Sequence, residues 1–239
     1  GDVGEGRLAE PSSIAQQVAE IFENSNLAGK RVLITVGATV EPIDPVRFIS
    51  NHSSGKMGMA LASACIQAGA KTTIVVGSIS TEEEKRATSI YATSADEMHD
   101  AVMDNIDNQD LFISCAAVAD YRPSKVSLNK IKKSNEKEII ELVLNRDILS
   151  DVCHLSKKPI CIGFAAETEN CIKNAKQKLE KKNCDAIILN DVSDPNIGLK
   201  SDENEVHFIT KGDSKIIKKN SKAIIAEKII KIISKKFFY

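Results

Sequence analysis

The sequence predicts an α/β protein with a mostly parallel sheet covered by helices. Three observations carry that expectation. From Lys30 onward, strand-length apolar runs alternate with segments of helical periodicity. Several of those runs are apolar without interruption, as strands buried on both faces are. Four polar clusters fall at strand ends or in the loops between elements, and an open parallel sheet binds its ligands beyond its strand ends.

Residues 1–29 have a different character. "GDVGEGRLAEP" is a glycine-rich loop, Ser12–Glu23 reads as a short amphipathic helix opened by Pro11-Ser12, and "ENSNLAGK" reads as a linker. Strand-like runs follow at Arg31–Val36, Thr72–Val76, Ser89–Tyr91, Leu111–Ala116, Ile139–Leu144, Pro159–Phe164 and Ala186–Leu189. Helical segments lie between them at Gly58–Gly69, Ala95–Asp107, Asp147–Leu155 and Thr168–Lys182. Such alternation gives parallel strands joined by right-handed crossovers, a Rossmann-like arrangement. "EVHFIT", "GDSK" and "SKIIKK" then read as a small C-terminal β-hairpin extension. Lys222–Lys235 closes the pattern as an amphipathic helix, Ile and Ala on one side and Lys on the other.

Composition narrows the class. The chain has 239 residues, enough for one large α/β domain or two small ones. Apolar residues make up 42 %, which supplies a core, but aromatics are 4 % and Trp is absent, so Ile, Val, Leu and Ala must fill it. A net charge of −1 argues against a nucleic-acid face. The longest apolar runs are strand-length, so no membrane span is expected, and no signal-peptide pattern opens the chain. None of the six cysteines forms a CxxC pair, and Cys65, Cys115, Cys161 and Cys184 sit in or beside apolar runs. Reduced, buried thiols of a cytoplasmic protein are expected. The four histidines are scattered, against a structural metal site.

The polar clusters each admit a structural and a functional reading. In "VEPIDPVRFISNHSSGKMG", Ser53, Ser54, Gly55 and Lys56 precede a helix, where free N–H groups and the dipole favour an anion. The spacing matches neither a P-loop nor GxGxxG, and a capped helix with a decorated loop remains the alternative. "SCAAVADYRP" follows a strand with small residues and then Asp120, or is a close-packed turn. "NKIKKSN" crowds Lys130, Lys132 and Lys133 into four positions. Such a run is either solvated or suited to a triphosphate. "GFAAET" ends another strand, and Glu167 either caps the next helix or binds.

Taken together, "DPVRFISNHSSGKMG", "CAAVADYRP", "KIKK", "IGFAAET" and "NDVS…GLKSDENEV" resemble, in order and spacing, phosphopantothenoylcysteine synthetase. The likeness runs from about Lys30 to the C-terminus. The opening loop resembles the end of the flavin-dependent decarboxylase that is commonly fused ahead of that enzyme. The resemblance therefore implies a remnant of that domain plus linker over 1–29 and a phosphopantothenate–cysteine ligase domain over 30–239. FMN would belong only to the fused decarboxylase domain.

The resemblance also implies a reaction. The carboxylate of 4′-phosphopantothenate attacks the α-phosphorus of CTP, with Mg²⁺, and L-cysteine then displaces CMP from the acyl-cytidylate. An ATP-using version is the alternative, as is a non-catalytic nucleotide-binding module. The essential Asn falls on Asn51, its partner Arg on Arg47, and the lysine of the loop that closes over the nucleotide on Lys130. Nucleotide contacts carry over to Ser114, Cys115, Ala116, Asp120, Arg146, Asp147, Ile148, Leu149, Phe164, Lys178 and Lys182. Phosphopantothenate falls to Asn51, Ser53, Ser54, Gly55 and Lys56. Arg146 stands where the family commonly has Pro, and "VGATVEP" carries Ala38 where Gly or Pro is usual. A homodimer is implied, paired through the Glu205–Ile217 hairpin, with a higher oligomer when the decarboxylase is fused. The metal ligands stay unassigned.

Overall fold

A computed structural model describes residues 10–11, 26–133, 137–167, 169–191 and 201–239 of the chain. The expected Ser12–Glu23 helix and most of the glycine-rich opening lie outside the described residues. Leu27, inside the expected linker, is fully buried and donates its N–H to the Ala68 carbonyl at 2.8 Å. The packed unit therefore includes that turn.

The central sheet has eight strands: β1 (Arg31–Val36), β4 (Lys71–Val76), β5 (Thr88–Tyr91), β6 (Leu111–Ser114), β9 (Ile160–Glu167), β10 (Ala186–Asp191), β11 (Glu203–Ile209) and β12 (Ser214–Ser221). Their spatial order is β12-β11-β10-β9-β6-β1-β4-β5. The six strands from β10 to β5 run parallel, and β11 and β12 add antiparallel at one edge. The fold class is thus the one expected, Rossmann-like, with the hairpin continuing the main sheet.

Alternation explains why these strands are apolar on both faces. In β1, Val32, Ile34 and Val36 enter one core and Leu33 enters the other. The first core is covered by α1 (Lys56–Gln67) and α5 (Lys222–Phe237), which pack on each other. The second is covered by α2 (Ala95–Asn105), α3 (Ile148–Cys153) and α4 (Cys171–Lys181). A capping box opens α2, with Ser94 and Glu97 exchanging side-chain to backbone bonds.

Two small sheets were not anticipated. β2 (Val40–Pro42) pairs with β3 (Phe48–Ser50), and β7 (Tyr121–Pro123) pairs with β8 (Leu142–Leu144). The expected Ile139–Leu144 strand shrinks to its last three residues and leaves the main sheet. Its apolar side chains are exposed, Ile139 at 87 % and Leu144 at 67 %. An apolar run is evidence of burial only against something, and here nothing among the described residues covers it.

The six cysteines are free, and four of them are buried: Cys65, Cys153, Cys161 and Cys184. Cys115 and Cys171 are partly exposed. Cys153 takes the buried place expected of Cys115. No helix of the described residues is long and apolar enough to cross a membrane.

Helix α1 meets β1 so closely that only glycine fits at one position. A Cβ on Gly58 would lie 2.7 Å and 2.9 Å from the two γ-carbons of Val36. Val36 is β-branched and buried in the core, so it has little room to yield. Gly58→Ala is expected to cost about 1–3 kcal/mol in denaturant unfolding. An unchanged unfolding midpoint would reject this packing.

Candidate active site

The strand order reverses direction between β1 and β6. Loops leaving these two strands diverge to opposite faces, and the crevice between them is where an open α/β sheet binds ligands. A cleft of about 430 Å³ opens there. It brings together Asn51, Ser53, Ser54, Gly55, Lys56, Cys115, Ala116, Asp120, Phe164 and Lys178, ten of the residues singled out in the sequence.

The cleft floor is set by backbone bonds. Gly37 follows β1 with φ +89, and a Cβ there would lie 2.5 Å from the Ser78 carbonyl oxygen. This is the position that needs glycine. Ala38 beside it is accommodated: its N–H donates to Ser78 at 2.9 Å, and its carbonyl accepts from the Ser78 N–H at 2.8 Å. The Ala117 N–H donates to the Gly37 carbonyl at 2.8 Å, which ties the loop after β6 to the loop after β1. Thr39 Oγ1 accepts from the Ala119 N–H at 2.9 Å, and Ser50 Oγ donates to the Thr39 carbonyl at 2.7 Å. Asn51 follows directly and donates from Nδ2 to the Val118 carbonyl at 3.0 Å. Its amide therefore stands across the mouth of the crevice.

One wall is the start of α1. Gly55 is its N-cap in the left-handed region, with no side-chain cap and no acidic residue in the first turn. First-turn N–H groups have no intrahelical acceptor, and here they face the cleft with Lys56 beside them. Lys56 forms an ion pair with the exposed Asp202 at 2.5 Å.

The opposite wall comes from β9 and α4. Lys178 lies on α4 and donates to the Phe164 carbonyl at 2.8 Å. Burial, and then the charge of Lys182, press its ammonium below its ordinary pKa. Lys182 pairs with Asp147 at 2.9 Å, and Asp147 caps α3 by accepting the Ser150 N–H at 3.0 Å. Burial raises the Asp147 carboxyl, but the Ser150 amide and Lys182 outweigh it, so the group titrates below its usual range. Ile148 and Leu149 are buried beneath this wall, and Ser114 ends β6 beside it. Burial pushes the Cys115 thiol up to about 12, so it stays neutral in the cleft.

Eight expected residues are not in the cleft lining: Ser114, Asp147, Ile148, Leu149 and Lys182, just described, and Arg146, Arg47 and Lys130. Arg146 binds α2 instead, meeting Asp96 at 2.9 Å and Asp100 at 2.7 Å. Where a proline would fix the loop by its ring, this chain fixes it by two ion pairs. Arg47 binds Asp44 through Nε at 3.0 Å and also through Nη2. The same Nη2 donates to the Ile131 carbonyl at 2.9 Å, while Asp44 accepts the Ile131 N–H at 3.1 Å. Ser127 is anchored to the Ile43 carbonyl at 2.9 Å. The segment between these anchors presents Leu128, Asn129 and Lys130 to solvent.

Sequence reasoning missed four residues of this region. Asp44 was not singled out, yet it is buried and holds the lysine loop. Asn190, Asn204 and Lys222 line the cleft from the far side. "NDVS" and the first residue of the closing helix were both in view, but a lysine in an amphipathic helix reads as solvated. Among the described residues no group of three or more His, Cys, Asp or Glu could hold a metal.

The clamp around Asp44 carries its own test. Arg47 holds the Asp44 carboxyl well below the usual range against the effect of burial, with backbone N–H donors adding to it. A depressed carboxylate contributes its stabilisation above its unfolded pKa and loses it only as pH falls through the folded value. The clamp is therefore intact at neutral pH. Asp44→Asn removes the ion pair and should free the Ile131 anchor. Trypsin cleavage after Lys130, Lys132 and Lys133 is expected to accelerate about tenfold or more, in line with loss of local protection. Cleavage at the wild-type rate would sink the clamp.

Residues 27–237 match the family described as DNA/pantothenate metabolism flavoprotein C-terminal domain. The chain is 43 % identical over 236 residues to the coenzyme A biosynthesis bifunctional protein CoaBC of Vibrio vulnificus strain CMCP6, covering 98 % of this chain and 59 % of that protein. Against the CoaBC protein of Haemophilus influenzae strain Rd it is 43 % identical over 239 residues, covering 99 % and 60 %. The chain thus spans about three-fifths of the length of these relatives. Among solved structures, the C-terminal domain of a CoaBC protein is similar at TM-score 0.75 and 37 % identity, covering 88 % of this chain and 97 % of that one. The chain belongs to the DNA/pantothenate metabolism flavoprotein C-terminal domain family.

Proposed function

We propose that this chain is the ligase of a coenzyme A pathway, joining 4′-phosphopantothenate to L-cysteine through an acyl-cytidylate made from CTP. The observation that carries it is the convergence, in one crevice, of the Asn51 amide, the uncapped start of α1 and the desolvated Lys178. The relatives named as coenzyme A biosynthesis proteins support the same reading.

The residues fit the chemistry. A carboxylate is a poor electrophile and must be activated, and its attack on a triphosphate brings two anions together. Lys56 and Lys178 offset that charge inside a cleft whose lining carries a single carboxylate among the described residues, Asp120. Lys130, on the exposed loop held by Arg47, supplies a further ammonium from above. Mg²⁺ usually travels with nucleotide phosphates and one or two carboxylates. Asp120 suits that role, and the ion would neutralise phosphate charge. Cysteine attack on the activated carbonyl generates an oxyanion. Asn51 Nδ2 is a neutral donor placed at the mouth, and the neutral Cys115 thiol adds no competing nucleophile.

The exposed apolar side chains favour a homodimer contact other than the Glu205–Ile217 hairpin. On the β11–β12 hairpin, Ile216 is the large apolar side chain left exposed. Beside the cleft, β2 packs near β7, and Phe48, Tyr121, Leu142, Val143 and Leu144 are all exposed. We place the two-fold contact of a homodimer on this platform, against a second copy. The decarboxylase assignment of residues 1–29, the flavin of a fused neighbour and a cytoplasmic setting belong to the same proposal.

Pyrophosphate release with CTP or ATP, phosphopantothenate and cysteine tests the reaction. Release with CTP is expected, release with ATP alone reverses the nucleotide choice, and none with either rejects the ligase. Asn51→Asp should keep the first step and fail in the second. Losing an oxyanion donor costs about 3–4 kcal/mol, or roughly a hundred- to a thousandfold in rate. Rapid quench with labelled CTP should show enzyme-bound acyl-cytidylate with little product. Normal turnover would remove Asn51 from the mechanism. Leu144→Asp should dissociate the dimer in sedimentation, and an unchanged dimer would exclude the β7–β8 platform.

A further inference from the structure

Asn145 sits where two loops beside the cleft meet. It follows β8 and leads through Arg146 and the cap residue Asp147 into α3. Its backbone N–H donates to the Asp120 carbonyl at 2.9 Å, and its side-chain Nδ2 donates to the Ala119 carbonyl at 2.8 Å. Its Oδ1 accepts from Arg122 Nη1 at 2.9 Å, and the same Nη1 braces the Leu144 carbonyl at 3.0 Å. Backbone and side chain thus end on one turn, residues 119–122, which carries Asp120. Ala119 is tied in turn to Thr39, so the turn is continuous with the end of β1. Both flanks of Asn145 also reach α2. Arg122 Nε lies 3.6 Å from the Asp96 carboxylate, and Arg146 meets that carboxylate at 2.9 Å.

An amide is what this place needs. One planar group must donate to a carbonyl and accept from a guanidinium at once. Aspartate would lose the donor, and alanine would lose both bonds. Asn145 itself is half-buried and stands outside the cleft lining. Resting on the ligase reading above, we propose that Asn145 is a positioning residue. It sets the spacing between Asp120 and the Arg146–Leu149 segment, and so shapes the nucleotide end of the cleft without touching the nucleotide. Asp120 lines the cleft, and Asp147 holds Lys182 on the wall that carries Lys178. Ser53–Lys56, where the acid is expected, belong to the other wall. A shift at Asn145 therefore falls on one ligand, and small displacements of a positioned group are costly. Arg122 acts through Asn145 by holding its Oδ1 and the preceding carbonyl.

The experiment is steady-state kinetics of the full chain, with 4′-phosphopantothenate, L-cysteine and the nucleotide that supports pyrophosphate release varied in turn. Asn145→Ala removes both side-chain bonds without changing charge. Its KM for the nucleotide should rise about tenfold, with KM for the acid and for cysteine within about twofold. Arg122→Ala leaves the Ala119 bond in place and should raise the nucleotide KM by less. Its lost charge, felt only at a distance, would weaken both anionic substrates, whereas positioning moves the nucleotide alone. The proposal is overturned if the nucleotide KM of Asn145→Ala stays within about twofold of wild type, or if the two anionic substrates weaken alike. Should Asn145→Ala fail to melt cooperatively, Arg122→Ala decides by the same comparison. If the wild-type protein does not ligate, the ligase reading fails by itself. Calorimetric titration of CTP and of ATP then reads the positioning directly. Weaker nucleotide binding in Asn145→Ala supports it, and equal binding, or none in the wild type, rejects it.

Discussion

The candidate site depends on three residues of backbone, Gly37, Ala38 and Thr39. They extend β1 past the sheet and are bonded on both sides, to Ser78 after β4 and to Ala117 after β6. A parallel sheet leaves its strand ends as loops with unpaired N–H and C=O groups. Here those groups satisfy one another, so the loops cannot drift independently. Thr39 then passes the constraint outward, receiving Ala119 and Ser50. Asn51 inherits its place from that chain of bonds. A Cβ at Gly37 would strike the Ser78 carbonyl, so the smallest residue sits where the lacing is tightest.

A second constraint is charge. The described lining of the cleft holds three lysines, Lys56, Lys178 and Lys222, against the one carboxylate of Asp120. For Lys178 and Lys222, burial is the leading cause of a lowered pKa, and a neighbouring lysine adds to it. Such an arrangement works against the empty fold and in favour of an anion. The outer ion pairs, Lys182 with Asp147 and Arg146 with Asp96 and Asp100, balance the rim without entering the lining. Exposed pairs of this kind add little stability. Their value is positional, since they hold the loop that leads into α3.

The sequence made the sheet legible because burial on both faces leaves unbroken apolar runs. β1 appeared with the expected bounds, and β4, β5, β9 and β10 differed only at their ends. The reasoning failed where apolar residues are not buried. Ile139–Leu144 reads like a core strand, yet it stands in the solvent beside Tyr121. Half of the cleft was legible through short motifs that each end a strand. Its other half was not, because Asn190, Asn204 and Lys222 come from distant segments that only the pairing of β10 with β11 and the seating of α5 bring together. Residue type hid Lys222, and spacing alone gave no reason to separate it from the solvated lysines that follow.

Arg47, singled out by motif, lies outside the cleft lining and holds a loop instead. Its Nε and Nη2 are committed to Asp44 and the Ile131 carbonyl. A guanidinium has five donors in a fixed fork, which lets one group bind the carboxylate and brace the carbonyl together. Lysine at this position would keep the charge but lose the fork. It could not bind both oxygen-bearing partners from two nitrogens held in one plane. The same side chain therefore ties the Asp44 turn to the segment that carries Lys130.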